Sequence, residues 1–583
     1  MGVMSADDRP DWLSNKQLFR WHGWLGLNLG LLLFVVCFSG TIAVFSYEID
    51  WLLDPTMRGE VAEDGVHWTA VDDSLAAAYP NHVVTFMEGP RHPGFAATAY
   101  AVDPSGRFVK LYVDPVTGAV NGRNNFWNVQ RFFRSFHRRM FFPNPFGILW
   151  VTLFAFVLLG SAVTGILFYK GWYRHLFRLR WHDVRLLFSD GHRLAGVWSL
   201  AFATIIVATG VWYGAELVAP RAGPSPPEIA EAELRARGPT PEALPLGEQV
   251  ARAKAAFPGL AVKDVIPGTA ERATLVRGQA DAWLVRPRAN TVRVDPVTGE
   301  VLSVEKGTEA SLYHRWTDTA DPIHFGTFGG LWSQAAWFVF GLVLSSLMLT
   351  GGWLWHRRAE QKARAAGAGR HPRWGYAAAA LPVGVLVASA VFGYVEVEDN
   401  YMMREAPRTV QAQQHEVGPW TARLLRMLDP DGADSYRVAF GAVGNRVANV
   451  KDATLRWTGA PDSTAVPRHP QAPVTKTLVQ SPPSTGDSLT ITATMWDGTT
   501  HRDTVAVSGT SFGPTTARAL PIPPVPTTVW VVIGAFVALL LGIVGGWLWC
   551  ANRTARRRAD DGDASTPAAT PTSVTADLPT SRP

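Results

Sequence analysis

Leu111-Tyr-Val-Asp-Pro-Val-Thr-Gly-Ala-Val120 reads as a strand with alternating apolar residues, an Asp-Pro-Val-Thr-Gly turn and a second, departing strand. Pro pre-sets φ and Gly supplies a positive φ, so the stretch predicts a β-hairpin. The phrase returns 181 residues later as Val292-Arg-Val-Asp-Pro-Val-Thr-Gly-Glu-Val301. Upstream, Leu75-Ala-Ala-Ala-Tyr-Pro80 echoes Ala253-Lys-Ala-Ala-Phe-Pro258 at an offset of 178, each a short helix ended by proline. Two copies of one small α+β module explain both echoes, and such repeats bear on architecture before any single motif does.

Around the modules the chain is strongly apolar. Of 583 residues 47% are hydrophobic and only 18% charged, with 24 Trp and 29 Phe; the mean hydropathy is +0.04. That composition excludes disorder over most of the chain, and with Cys37 and Cys550 as its only cysteines a disulfide scaffold is excluded too. Six stretches are long enough to cross a bilayer, which takes roughly 20 residues: Trp24–Ser46, Phe146–Tyr169, Leu194–Ala215, Leu331–Trp355, Gly375–Val395 and Thr527–Cys550. None contains Lys, Arg, Asp or Glu. The first exceeds a signal-peptide core and lacks a small-residue cleavage site, so it reads as a signal anchor.

The net charge of +5 invites a nucleic-acid reading, which the placement of the basic residues rejects. Lys170, Arg174, Arg178, Arg180 and Arg185 crowd one short connection, Arg357, Arg358, Lys362, Arg364, Arg370 and Arg373 another, and Arg553, Arg556, Arg557 and Arg558 follow the last span. All three fall on one side, which the positive-inside rule makes cytoplasmic. The expected order is a cytoplasmic N-terminus (1–20), span 1 (21–47), outer module 1 (48–135), and span 2 with its preceding interfacial segment (136–170). A loop (171–190), span 3 (191–216), outer module 2 (217–322) and span 4 (323–356) come next. A second loop (357–374), span 5 (375–396), an outer β-rich domain (397–526), span 6 (527–550) and a disordered cytoplasmic tail (551–583) complete the chain. The protein is thus expected to be a multi-pass α-helical protein of the cytoplasmic (inner) membrane, with both termini cytoplasmic and outward-facing α+β modules.

The spans repeat in step with the modules. His22 lies 18 residues before Gly40 and His192 lies 18 before Gly210; His137 precedes Gly165 by 28 residues and His324 precedes Gly351 by 27. Each unit reads His, span, module, His, span, a parallel duplication about an axis along the membrane normal. His22 and His192 then share a depth near the cytoplasmic surface, and His137 and His324 share one near the outer surface. Two imidazoles facing each other can fill both axial positions of one haem iron, so the expected cofactors are two b-type haems that move electrons and leave no open coordination position. His175, His182, His314 and His356 are competitors without a counterpart at the repeat offset. Arg20, Arg138, Arg139 and Arg193 lie beside the four histidines and suit haem propionates. Trp127 and Phe126, Phe132, Phe133, Phe136, Phe141 and Phe142 suit an interfacial helix, read as an aromatic belt at the headgroups or as a docking surface for an iron chelate.

Trp21-His-Gly-Trp-Leu-Gly26, Phe136-His-Arg-Arg139, Asp190-Gly-His-Arg-Leu-Ala-Gly196 and Ile323-His-Phe-Gly326, with the two Asp-Pro-Val-Thr-Gly modules, resemble the PepSY-associated transmembrane-helix family over residues 15–360. Members are associated with iron uptake, and some are inner-membrane ferric-siderophore reductases with two haems. The resemblance implies PepSY folds for the modules and haem-ligand roles for His22, His137, His192 and His324.

Residues 375–550 lie outside that pattern. Span 6 ends Gly545-Gly-Trp-Leu-Trp549, matching Gly351-Gly-Trp-Leu-Trp355 at the end of span 4, which allows a degenerate third copy without haem. Ser488–Met495 and Thr504–Val507, joined through Asp497-Gly498, predict a small β-rich domain that positions a substrate or partner. G-x-G-x-x-G, P-loop, C-x-x-C and H-E-x-x-H signatures are lacking, so a separate cytoplasmic donor or membrane quinol would supply electrons. Three functions compete: a di-haem reductase of a ferric chelate, a siderophore for preference; a transporter of iron, haem or siderophore; and a PepSY anchor that binds a partner protein. Charge-free spans without evident Gly/Pro breaks weigh against the transporter.

Overall fold

The computed structural model describes residues 14–79, 82–102, 108–124, 127–218, 229–365, 374–397, 408–428, 434–441, 447–466, 475–479, 488–506 and 525–563. The chain enters through α1 (Asn15–Asn28), capped by the Ser14 side chain, which accepts from the Gln17 N–H. It continues through α2 (Gly30–Ala43), and the two meet at Leu29 with a 64° bend. Span 1 is therefore a broken helix, correcting the expectation of an unbroken one. Asn28 and Gly30 flank the break, and both are poor helix formers.

Helix α3 (Ser46–Leu53) leads into the first module: α4 (Trp68–Ala78) and strands β1 (Val83–Glu88), β2 (Ala97–Val102), β3 (Phe108–Val113) and β4 (Val120–Asn124). Helix α5 (Val129–Arg139) returns the chain to the membrane, α6 (Phe146–Phe168) crosses it, and α7 (Val184–Trp198) with α8 (Leu200–Val218) crosses back, interrupted at Ser199. The second module holds α9 (Glu231–Ala236), α10 (Leu246–Ala256) and strands β5 (Ala261–Ile266), β6 (Thr274–Gln279), β7 (Thr291–Val294) and β8 (Val301–Glu305). Helices α11 (Leu312–Phe325) and α12 (Leu331–Ala365) follow, then α13 (Trp374–Val397).

Among the described residues four helices are long and apolar enough to span a membrane, or five when the bent pair counts as one span. The sixth expected span is α13, whose described apolar part, Pro382–Val395, is shorter than a full crossing.

Both hairpins form where Asp-Pro-Val-Thr-Gly stands. Asp114 Oδ1 accepts from the Val116 and Thr117 N–H groups at 3.0 and 2.8 Å, and Asp295 Oδ1 from Val297 and Thr298 at 2.8 and 3.0 Å. Gly118 and Gly299 close the turns at φ of +74° and +73°, a conformation that L residues resist. Strands of the two modules make one eight-stranded sheet in the order β4-β3-β2-β1-β5-β6-β7-β8. The seam is the antiparallel pair β1–β5, with Met87 opposite Val265 and Glu88 opposite Asp264. Helices α4 and α10 share one core beneath it, where Trp68, Val71 and Leu75 join Val250, Ala253 and Phe257. Pairing edge to edge covers the strand edges that each module would otherwise expose.

The region after α13 packs two four-stranded sheets over one core. Strands β9 (Arg408–Val417), β10 (Trp420–Leu428), β11 (Asp434–Gly441) and β14 (Thr475–Val479) form one. Strands β12 (Asp452–Trp457), β13 (Thr464–Ala465), β15 (Ser488–Thr494) and β16 (Thr500–Ala506) form the other. Trp420, Tyr436 and Phe440 meet Leu455, Leu489 and Ile491 between them. Asn449 docks this sandwich on the second module, donating to Leu234 and Gly238 carbonyls at 2.7 and 2.8 Å, and Trp420 Nε1 donates to Pro239 at 2.8 Å. Helix α14 (Thr527–Asp563) runs past Cys550 through the arginines, where the sequence reading begins a disordered tail at residue 551. Ala and Arg are good helix formers and continue the turn. The rest of that tail, 564–583, lies outside the described residues.

Burial pushes the Asp264 carboxyl up to about 6, with Arg277 opposing the rise and Glu88 adding to it. An unfolded Asp titrates near 3.9, so between about pH 4 and 6 the folded seam binds more protons than the unfolded chain. The contribution of this group to stability therefore falls as pH rises through that window. Asp264→Asn should remove the dependence, so the variant's thermal midpoint is expected to gain on wild type between pH 4 and 6.5. A pH-independent difference between the two proteins would contradict this account of the seam.

Candidate functional site

Four histidines lie in two facing pairs, one at each end of the helical bundle. His22 on α1 and His192 on α7 have ring centroids 6.3 Å apart with planes at 81°. His137 on α5 and His324 on α11, on the module side, have centroids 6.1 Å apart at 38°. Two metal–nitrogen bonds of about 2 Å and two ring radii of about 1 Å add to about 6 Å, the span of two imidazoles on one metal ion.

The tautomers are set by hydrogen bonding. His22 Nδ1 lies 2.9 Å from the Ser161 carbonyl oxygen on α6, and His137 Nδ1 lies 2.8 Å from the Val36 carbonyl oxygen on α2. A carbonyl only accepts, so each Nδ1 carries the proton. His192 Nδ1 is 2.9 Å from Thr350 Oγ1 on α12, and His324 Nδ1 is 2.8 Å from Thr209 Oγ1 on α8. Both hydroxyls donate their own hydrogen one turn back, Thr350 to Ser346 and Thr209 to Ile205, each at 2.8 Å. They therefore accept from the imidazole. All four rings are held as the Nδ1–H tautomer, and all four keep the Nε2 lone pair for a ligand bond. Metal-binding histidines are oriented in this way.

The supporting residues share a signature that the spacing of His and Gly leaves unread. Each of the four helices facing a histidine carries a hydroxyl residue followed by glycine: Ser39-Gly40, Thr164-Gly165, Thr209-Gly210 and Thr350-Gly351. Thr350 and Thr209 take the Nδ1–H directly, and Thr164 lies 3.4 Å from His22 Nδ1. Ser39 instead donates to the Val36 carbonyl that receives His137, at 3.0 Å. The glycines make room for the rings. A Cβ on Gly40 would come within 2.6 Å of His137, on Gly351 within 3.2 Å of His192 and on Gly165 within 3.4 Å of His22, while Gly210 faces Ala155. A search for Ser/Thr-Gly within apolar runs would have found the set.

The outer pair rests on two short helices that their modules grip differently. Asp50 accepts from the Val129 and Gln130 N–H groups at 2.8 and 2.9 Å, fixing the start of α5. That helix ends in two non-glycine residues at positive φ, Met140 and Phe141, a conformation that is costly for bulky residues. Arg139 spans the reversal and donates to the Phe141 and Phe142 carbonyls at 3.4 and 3.2 Å. Helix α11 is held by charge: Arg286 pairs with Asp318 and Asp321 at 3.0 and 2.8 Å, and Tyr213, packed 5.2 Å from the His324 ring, donates to Asp321 at 2.7 Å.

The other nominated residues scatter. Arg20 donates to Gln17 at 3.3 Å, and Arg193 sits 3.6 Å from Asp190 and over the Tyr169 ring. Arg138 lies among Arg134, Arg139 and Asp321. Arg358, which in the sequence reads as topological charge, acts electrostatically on both His22 and His192 and lies 5.0 Å over Phe19. His175 lines a cavity on the loop side, His182 is exposed, His314 bonds Ser311, and His356 lies far along α12.

Residues 19–358 match the family described as PepSY-associated TM region. The chain belongs to that family. No curated protein matches it. The family match ends with α12, so α13, the sandwich and α14 are additions to the PepSY-associated part.

Those additions overturn the reading of the aromatics as a headgroup belt. Trp127, Phe132, Phe133, Phe136, Phe141 and Phe142 are all buried; Phe126 lies outside the described residues. Phe536 of α14 packs on Phe133 at 4.9 Å and on Phe136 at 5.7 Å, and Phe392 of α13 packs on Phe142 at 5.4 Å. Helix α14 thus covers the helix that carries His137, and α13 covers the turn that follows it.

Thr350→Val removes the acceptor of His192 Nδ1–H and should cost about 1–3 kcal/mol, the penalty of an unsatisfied buried donor. Thr350→Ser should stay near wild type. Thermal unfolding of the purified protein compares them, and equal midpoints for Val and Ser would remove the hydroxyl from the site.

Proposed function

We propose that this PepSY-associated protein holds two haems, one between His22 and His192 and one between His137 and His324. It would pass electrons across the cytoplasmic membrane to a ferric chelate, preferably a ferric siderophore, at the module side. The carrying observation is the arrangement of the rings: four half-buried imidazoles in two facing pairs, each with Nδ1 on an oxygen of a neighbouring helix and Nε2 left for a metal. Haem held by these histidines would supply a one-electron iron couple. The chain's part is to orient the rings through Ser161, Val36, Thr350 and Thr209, and to exclude water with the aromatic packing around α5. Arg193 and Arg358 place positive charge beside the inner pair, suited to propionates.

The basic residues of 170–185 and 357–373 support an orientation with the inner pair at the cytoplasmic surface. A separate cytoplasmic donor or membrane quinol would supply the electrons. The matched element order of the two modules supports a parallel duplication of span and module. Reduction weakens the hold of hard oxygen ligands on iron, which suits ferric-chelate reductase activity in iron uptake.

The break at Leu29 favours a second reading, a transporter of iron, haem or siderophore, because interrupted spans recur in transporters. A dithionite-reduced minus oxidised spectrum of the purified protein decides between them. The reductase reading expects about two low-spin b-type haems per chain, and His192→Ala should remove the inner one alone. Protein from haem-replete cells that carries none would end this reading, and chelate uptake into vesicles without reductant would establish the other.

A further inference from the structure

After α6 the chain folds back as a strap, residues 169–183, against α7. Beneath it lies a cavity of ≈ 300 Å³ whose wall carries Lys170, Arg178, Arg180 and Arg193. Among the described lining residues the one carboxylate is Asp190, and it is committed. It is buried, accepts from the Arg180 guanidinium at 2.8 and 2.9 Å and from the Arg180 backbone N–H at 3.2 Å, and has Arg193 at 3.6 Å. Lys170 and Arg178 add two cations to a wall whose only acid is already shared between two arginines.

Topological anchoring needs basic residues near a span end at any exposed position. It does not require them to gather around one polar cavity, and Arg174 and Arg185 of the same loop stay outside the lining. The exposed aromatics of the strap show at what depth the cavity sits. Phe177 is 81% exposed and Trp181 71%, while Phe177 packs on Trp198 at 5.6 Å and Trp198 Nε1 donates to the Leu176 carbonyl at 3.1 Å. Exposed aromatics interleaved with basic residues at a span end belong at headgroup depth. Basic pockets between spans on that side suit anionic headgroups.

We propose that this cavity binds a phosphate-bearing anion, supplied by the headgroup of an anionic phospholipid in the adjoining leaflet. Its volume is at the small end of ligand sites, enough for a phosphodiester head while acyl chains lie along the exposed aromatics. The occupant would join the strap to α7 at Arg193, the residue after His192, bracing that helix. The inference does not rest on haem.

The full-length protein is placed in nanodiscs of phosphatidylcholine with a minority of phosphatidylglycerol, then released, and bound lipid is counted by native mass spectrometry. Wild type is expected to retain phosphatidylglycerol in preference to phosphatidylcholine. Lys170→Ala/Arg178→Ala, which leaves the Arg180–Asp190 pair intact, should retain it about tenfold less. Arg174→Ala/Arg185→Ala removes the same charge outside the cavity and should retain it normally. Equal loss in both double variants, or equal retention of the two lipids by wild type, overturns the site. Displacement of the lipid by free glycerol phosphate at matched concentration overturns the lipid as the source. Thermal midpoints of both variants separate a lost site from a lost fold.

Discussion

A neutral, half-buried imidazole among apolar helices has one N–H to donate and one lone pair to use, and the bundle is arranged around that requirement. Each of the four histidines gives its Nδ1–H to a neighbouring helix, twice to a carbonyl and twice to a threonine hydroxyl. The hydroxyls are acceptors because they have spent their own hydrogens within their helices. Among apolar side chains, with little water to compete, these bonds orient the rings firmly. Glycine beside the hydroxyl residue lets helix and ring approach, and a methyl at Gly40 would already collide with His137.

The eight-stranded sheet transmits the same order to the module side. Because β1 pairs with β5, the two modules act as one platform, from which α5 and α11 descend with His137 and His324. The platform holds those helices by different means. Asp50 caps α5, whereas α11 is tied by the Arg286, Asp318 and Asp321 ion pairs. A cap fixes where a helix begins, and a charge network fixes its rotation, so the two outer rings are set by independent constraints. Buried ion pairs add less stability than their geometry suggests, so orientation is the better account of the network.

The part beyond the family match is bound to the site as well. The sandwich is fastened to the second module through Asn449 and Trp420. Helix α14 shields the aromatic face of α5, and α13 packs on Phe142 just beyond it. An extension that binds at both ends of the outer face braces the helix behind His137 and keeps lipid from it.

The sequence by itself determined what local pattern encodes. Apolar runs without charge marked the membrane segments, and Asp-Pro-Val-Thr-Gly marked two hairpins, because a turn is written in adjacent residues. Matched spacings of His22, His137, His192 and His324 singled out those four residues. Tertiary structure decided what depends on residues far apart in the chain: the β1–β5 seam, the Nδ1 acceptors 101 to 158 residues from their histidines, and the burial of the α5 aromatics by α14. The bend at Leu29 and the helical run to Asp563 also escaped the pattern, since hydropathy measures whether a segment is apolar and not whether its helix is straight. An imidazole's partner is chosen by packing, and packing brings together residues that no spacing along the chain connects.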